Sequence, residues 1–328
     1  MKAITYEKYG ELKLDDVPVP ELTDDRVLIR VRATGLNPFD WHLYRGDPYL
    51  VRMQGGWRAP KEKHILGADV AGEVVSVGAN VTDLKPGDRV FGEVGHGGCA
   101  EFVAARRAYI TKLPDTVSFE TGAATPMGAI TALQGLRRAG VAAGHSVLVN
   151  GASGGVGHMA VQIARALGAT SVAAVCSTAN VEMMRSLGAD TVIDYTRDNF
   201  TRLGARYDVI FDTVGTHGLT ALRRALVPGG TFITVGSLGG GKLLGPARYM
   251  AAIVIAGKFV RERVETLLDT DGTPADFELL AQWLDAGTIR PVIQQVFPLE
   301  QTFAAMEVLE GGHVAGKLVV RAKESLDP

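Results

Sequence analysis

Near the middle of the chain, Asn150-Gly151-Ala152-Ser153-Gly154-Gly155-Val156-Gly157 has the residue types and spacing to hold a phosphate. Glycines permit a tight turn, let the backbone approach a pyrophosphate and allow a helix to pack close to the preceding strand. The free N–H groups and the dipole at that helix's N-terminus then favour negative charge. The flanks agree. Val147-Leu148-Val149 reads as a buried strand, His158 to Gly168 as a helix and Val172 to Val175 as a second strand. This βαβ setting makes a weak glycine motif a good dinucleotide signal, with Ser153, Gly154, Gly155 and Val156 lining the cofactor.

The end of the second strand selects the dinucleotide. A site for NAD places Asp or Glu about 20 residues past the glycines, where it accepts from the ribose 2′-OH and repels a 2′-phosphate. Here the strand ends Cys176-Ser177-Thr178-Ala179-Asn180, and no acidic residue occurs between Gly157 and Glu182. Donors at Ser177, Thr178 and Asn180 suit a phosphate, so NADPH is the expected cofactor. In the competing reading, Ser177 and Thr178 cap a helix that begins near Val181.

A second concentration of reactive side chains lies in the loop Gly35 to Tyr49, which holds Asn37, Asp40, His42, Tyr44 and Tyr49. Each has a structural alternative. Asn37 precedes Pro38 and suits a turn, Asp40 suits the cap of a short helix beginning near Trp41, and the tyrosines suit a core or a cleft wall.

The elements around these stretches fall into two kinds. From Lys2 to Ala104 short strands alternate with Gly/Pro turns, as at Lys2–Tyr6, Leu12–Asp16, Arg26–Ala33, Asp69–Val77, Arg89–Gly92 and Ala100–Ala104, which predicts a barrel-like β domain. Thr121 to Leu136 reads as one helix. Strands and helices then alternate: helix Val181–Leu187, strand Thr191–Ile193, strand Val209–Phe211, helix Leu219–Leu226, a turn at Val227-Pro228-Gly229-Gly230 and strand Thr231–Val235. That order predicts a doubly wound parallel sheet with its ligand beyond the strand C-termini, where Val214, Gly236, Ser237 and Tyr195 fall. The fold class is therefore α/β: a β-barrel domain over 1–122, onto which 272–328 folds back, and a Rossmann domain over 123–271.

Bulk properties exclude several functions. The 328 residues suffice for two cores, and a net charge of -2 leaves no electrostatic footprint for nucleic acid or an anionic membrane. The apolar run Met250–Ala256 is too short to span a bilayer and reads as cleft wall or subunit contact. The N-terminus shows no signal-peptide pattern, and Cys99 and Cys176 make no disulfide framework, so a reducing cytoplasm is expected.

Four stretches carry a family resemblance: Lys85-Pro86-Gly87-Asp88-Arg89-Val90, Ala152-Ser153-Gly154-Gly155-Val156-Gly157, Phe211-Asp212-Thr213-Val214-Gly215 and Gly316-Lys317-Leu318-Val319. In this order they resemble the medium-chain dehydrogenases/reductases, specifically the zinc-independent quinone oxidoreductase branch. The resemblance implies a GroES-like domain, a Rossmann domain, an active-site cleft between them, and a homodimer or homotetramer. It brings the Thr131 hydroxyl near the nicotinamide and Tyr195 near the adenosine 2′-phosphate, with Asn180 where a basic residue often stands.

The resemblance also addresses zinc. Zinc-dependent members carry ligands where this chain has Asn37, Ala68 and Met127. An amide, a methyl and a thioether do not make a tetrahedral zinc site, so no metal is expected. Without a Lewis acid, reduction of a simple ketone loses its main oxyanion stabilisation. Quinones and α,β-unsaturated carbonyls are easier acceptors, because charge spreads into a hydroquinone anion or an enolate. The expected catalytic residues are Asn37 as an amide donor, Asp40, His42 as an acid titrating near neutrality, and Tyr49 as a shaping or proton-relaying group. Two readings compete: a metal-free alcohol dehydrogenase or ketone reductase, and a catalytically idle NADPH-binding protein.

Overall fold

The computed structural model describes residues 1–236, 246–267 and 270–322. The chain divides into two compact units, Met1–Met127 with Asp271–Pro328, and Gly128–Thr270.

Strand Arg26–Leu36 is the spine of the first unit. Val27, Ile29 and Val31 alternate with the partly exposed Leu28, Arg30 and Arg32 and are at most 2% exposed, as a half-buried strand requires. Its length gives it three partners: Asp69–Val77, Phe102–Arg106 and Lys317–Arg321, all antiparallel. The sheet runs Ile293–Pro298, Lys317–Arg321, Arg26–Leu36, Asp69–Val77, Arg89–Glu93, Ile110–Lys112. Val70, Val74, Val90, Val103 and Ile110 close one core against Val27 and Ile29. A second core joins Ile4, Tyr6, Leu36 and Tyr44 to Leu318, Val320 and Met306. The last strand belongs here because it pairs Leu318 with Leu36 and Val320 with Thr34 on one edge and Ile293–Pro298 on the other, which buries its apolar residues.

The second unit holds a parallel sheet ordered Thr191–Asp194, Ser171–Cys176, Ser146–Asn150, Tyr207–Asp212, Leu226–Thr234, Arg263–Thr266. Its centre is covered on both faces, so Val147, Leu148 and Val149 form a continuous apolar run at 0% exposure. Order reverses between the neighbours Ser146–Asn150 and Tyr207–Asp212, which defines the switch point.

Four local expectations need correction. The segment expected as a loop from Gly35 carries the helix Pro38–Arg45, which starts three residues before Trp41. Pro at N1 presets the helical φ. Asp40 sits at N3 and accepts from the Asn37 N–H at 2.8 Å instead of serving as the cap residue. The helix expected over Thr121–Leu136 is two, Phe119–Ala123 and Pro126–Arg138, because a residue before proline is disfavoured in helical conformation. Helix Leu219–Leu226 shortens to Leu219–Leu222 with a 3₁₀ turn at Arg223–Ala225. Val227–Gly230 is no separate turn but an irregularity inside strand Leu226–Thr234, where the register slips between Tyr207 and Val209 of its partner.

Candidate functional site

The glycine elbow leaves strand Ser146–Asn150 and enters helix Gly157–Ala166. Gly151 has φ +77°, and a Cβ there would lie 2.2 Å from Thr213 Oγ1, so only glycine serves. Gly154 differs. A Cβ on it would meet nothing closer than the Gly151 carbonyl oxygen at 3.6 Å, so its outer side faces open space. Ser153, Gly154, Gly155 and Val156 are all partly exposed along this elbow. The cradle fits a pyrophosphate approaching the backbone above a helix N-terminus.

Asp212 locks the elbow to the neighbouring strand end. It is fully buried, and its Oδ1 accepts from Asn150 Nδ2 (2.8 Å), Val214 N (2.9 Å) and Gly215 N (3.1 Å). Thr213 Oγ1 donates to the Asn150 carbonyl at 3.0 Å. Burial pushes the Asp212 carboxyl up, while these donors pull it back. Val214 is thus held beside the elbow with Gly236 following the next strand, both partly exposed. Thr131 lies half-buried on helix Pro126–Arg138, and Ser237 lies outside the described residues.

At the outer end of the same strand edge, the fold adds a carboxylate that counting along the chain does not find. Cys176 pairs with Asp194 of the adjacent strand, and Thr178 Oγ1 donates to Asp194 Oδ2 at 2.5 Å. Thr196 donates to Asp194 Oδ1 through N (3.0 Å) and Oγ1 (2.8 Å). The Thr178 hydrogen bond, then those from Thr196, hold this carboxyl below its ordinary value. Arg197 Nε stands 3.7 Å from Asp194 Oδ2 with its side chain 74% exposed. Asn180 Nδ2 donates to Ser177 Oγ at 3.2 Å, and Tyr195 is 58% exposed.

In the first unit a buried polar cluster surrounds Asn37. Its Nδ2 donates to Asp69 Oδ2 (2.9 Å) and to the Gly35 carbonyl (3.3 Å), and Lys317 Nζ donates to its Oδ1. Lys317 Nζ also lies 3.3 Å from Asp69 Oδ2, with side-chain exposures of 2% and 0%. Asp69 Oδ1 accepts from Met127 N at 3.1 Å. Both amide hydrogens of Asn37 are therefore committed inward, which leaves it no free donor and makes it an internal brace instead of the expected substrate donor. Asp40 is buried alongside, its carboxyl pushed up to about 7 by burial, and Glu93 is pushed up to about 8 by burial and by Asp69.

His42 and Tyr49 stand apart from this cluster in their contacts. His42 Nδ1–H donates to the Asp47 carbonyl at 2.5 Å, and its ring lies against Trp41 with centroids 3.8 Å apart. Burial pushes its pKa down, so neutral imidazole prevails near pH 7. Tyr49 is 39% exposed and packs on the Arg52 guanidinium, which also lies over Tyr9, each ring 4.5 Å away. Structure thus joins Asn37 to Asp40 and supplies the unforeseen members Asp69 and Lys317. A lysine opening the apolar strand Lys317-Leu318-Val319-Val320 was the one available signal.

A zinc ion does not fit this donor set. Asn37 is bound through both ends of its amide, Ala68 offers a methyl at 0% exposure, Met127 contributes its backbone N–H, and an ammonium stands among them. Among the described residues no group of three His, Cys, Asp or Glu side chains is placed to hold a metal.

A doubly wound parallel sheet with a glycine elbow at its switch point, in one chain with an antiparallel β unit, is the two-domain architecture of a nicotinamide-dinucleotide oxidoreductase. Comparison with known proteins agrees. The profile "Alcohol dehydrogenase GroES-like domain" matches residues 23–115, and "Zinc-binding dehydrogenase" matches 187–320. Among curated relatives, "2-methylene-furan-3-one reductase" of Solanum lycopersicum and "NADPH-dependent alkenal/one oxidoreductase, chloroplastic" of Arabidopsis thaliana are each 33% identical over 98% of this chain and 79% of their own length. The solved quinone oxidoreductase from Coxiella burnetii superposes with a TM-score of 0.84 at 30% identity, covering 98% of this chain and 99% of that one. The chain belongs to the medium-chain dehydrogenase/reductase superfamily, in its zinc-independent quinone oxidoreductase branch.

Proposed function

We propose that this protein reduces quinones or α,β-unsaturated carbonyls with NADPH. The observation that carries the reading is the elbow: a Gly151 at positive φ that shapes it and an open Gly154 that leaves room for a pyrophosphate. Relatives named for alkenal/one and furanone reduction support the acceptor class. The preference for NADPH over NADH is supported by exposed Arg197 and Tyr195 near Ser177, Thr178 and Asn180, and by Asp194 being engaged by Thr178 and Thr196.

Ser153, Gly154, Gly155 and Val156 would seat the pyrophosphate, with Thr131, Val214 and Gly236 toward the nicotinamide. Bound there, the cofactor supplies a hydride. Residues of the first unit then have three tasks. Asn37 and Asp40 hold the start of helix Pro38–Arg45, Tyr49, 39% exposed, is assigned as the proton donor, and His42 has its Nδ1 proton engaged by the Asp47 carbonyl. A conjugated acceptor suits such a site, because its developing charge is delocalised and needs positioning more than a Lewis acid.

No helix among the described residues is long and apolar enough to cross a membrane. We assign a reducing compartment, the cytoplasm, on two buried, unpaired thiols, Cys99 and Cys176. A homodimer or homotetramer is supported by exposed Ile255 (60%) and Phe259 (85%) preceding Arg263–Thr266, which ends the strand order of the parallel sheet.

The test is NADPH oxidation followed by its near-ultraviolet absorbance with a panel of quinones, enals, enones and plain ketones. Turnover of the conjugated acceptors is expected. Turnover of plain ketones alone would make the chain a ketone reductase, and NADPH binding without any turnover would make it an idle binder.

A further inference from the structure

Lys317 is the least expected charge in the protein. It opens strand Lys317–Arg321, whose next three residues are 0–1% exposed, and its own side chain is 2% exposed. An ammonium withdrawn from water is costly unless partners replace its hydration. Those partners are Asn37 Oδ1 and Asp69 Oδ2, and each is tied onward. Asn37 is joined to Asp69 through Nδ2, and Asp69 to the Met127 N–H. One ammonium thus gathers three segments distant in sequence: the entry to helix Pro38–Arg45, the start of strand Asp69–Val77 and the entry to helix Pro126–Arg138.

We propose that Lys317 is a positioning residue: it orients Asn37, and through Asn37 the helix Pro38–Arg45 that carries His42. A fixed +1 charge with directed N–H donors neutralises Asp69 and fixes the Asn37 amide in one orientation. The same geometry explains why Asn37 has no hydrogen left for an acceptor. Its amide is spent on aligning the helix, whose first backbone donor, Asn37 N–H, is in turn taken by Asp40. The functional consequence rests on the reductase reading; the structural one does not.

The experiment uses the full-length protein. Lys317→Met alone leaves Asp69 uncompensated and is expected to lower the melting temperature sharply, so the decisive variant is Asp69→Asn/Lys317→Met, which removes both charges. It is expected to melt near the wild type and to bind NADPH with a Kd within about twofold, while its KM for the acceptor rises about tenfold with little change in kcat. Amide hydrogen exchange in helix Pro38–Arg45 is expected to accelerate about tenfold, with helix Gly157–Ala166 unchanged. Wild-type exchange in Pro38–Arg45 would overturn the proposal whatever the enzyme reduces. Accelerated exchange with an unchanged acceptor KM would overturn its functional half. If the wild type turns over no conjugated acceptor, the reductase reading fails, and the exchange measurement still decides whether Lys317 aligns the helix.

Discussion

Adding one methyl group at each of two glycines separates what the elbow does for folding from what it does for binding. At Gly151 the backbone has φ +77°, and an alanine Cβ would lie 2.2 Å from Thr213 Oγ1 and 2.6 Å from Val214 Cγ2. Left-handed backbone costs an ordinary residue about 1–2 kcal/mol, and overpacking adds about 1–3 kcal/mol. Gly151→Ala is therefore expected to lose roughly 2–5 kcal/mol, a large share of the ~5–15 kcal/mol that holds a native protein together. At Gly154 the φ is not positive, and the nearest atom to an alanine Cβ is 3.6 Å away. Gly154→Ala is expected to change stability by no more than about 0.5–1 kcal/mol. Its methyl occupies the space through which the pyrophosphate must reach the backbone, so NADPH affinity is expected to fall about 10- to 100-fold, or ~1.4–2.8 kcal/mol. The assay is thermal melting with and without NADPH, alongside a fluorescence titration. Ligand at about 100 times Kd stabilises by ~2.7 kcal/mol, so the wild type shifts visibly. Gly151→Ala should melt early, whereas Gly154→Ala should melt like the wild type and lose the NADPH shift. Wild-type NADPH affinity in Gly154→Ala would refute the elbow as a pyrophosphate seat and the cofactor assignment with it.

Three further outcomes are expected. The Asp40 carboxyl has a folded-state pKa of about 7, above its unfolded value, so the native state keeps a proton that the unfolded chain has released. Stability is consequently greatest below about pH 4 for this group and is lost as pH rises toward about 7; urea unfolding across that range should show a shallower decline in Asp40→Asn, and parallel profiles would exclude Asp40 as the source. Arg197→Gln should weaken NADPH binding about tenfold and leave NADH unchanged, whereas Asp194→Asn should tighten NADPH; equal effects on both dinucleotides, measured by titration, would remove these residues from cofactor selection. Phe259→Asp should reduce the proposed homodimer or homotetramer to a monomer by light scattering, with NADPH binding retained; a wild type that is already monomeric, or an unchanged mass, would remove Phe259 as the contact.

Local chemistry made much of the protein legible. Gly151 and Gly154, an apolar strand before them and a helix after them lie within about 30 residues, the length of a βαβ unit, so the strand–elbow–helix unit can be read from adjacent positions. The alternation of Val27, Ile29 and Val31 marks a half-buried strand for the same reason. Helix boundaries were harder, because Pro126 splits one apolar stretch into two helices and Pro38 begins another inside what reads as a polar loop.

The polar sites were not legible, because their members meet through packing. Lys317 reaches Asn37 across 280 positions, and that contact turned Asn37 from a free amide into a brace. Asp194 reaches Thr178 from a neighbouring strand, so a count along the chain from the glycines passes it by. Periodicity and turn chemistry act over a few residues and survive in any fold. A buried charge acquires its partner, its protonation and its task only when distant strands close around it, since desolvation and hydrogen bonding depend on what is near in space.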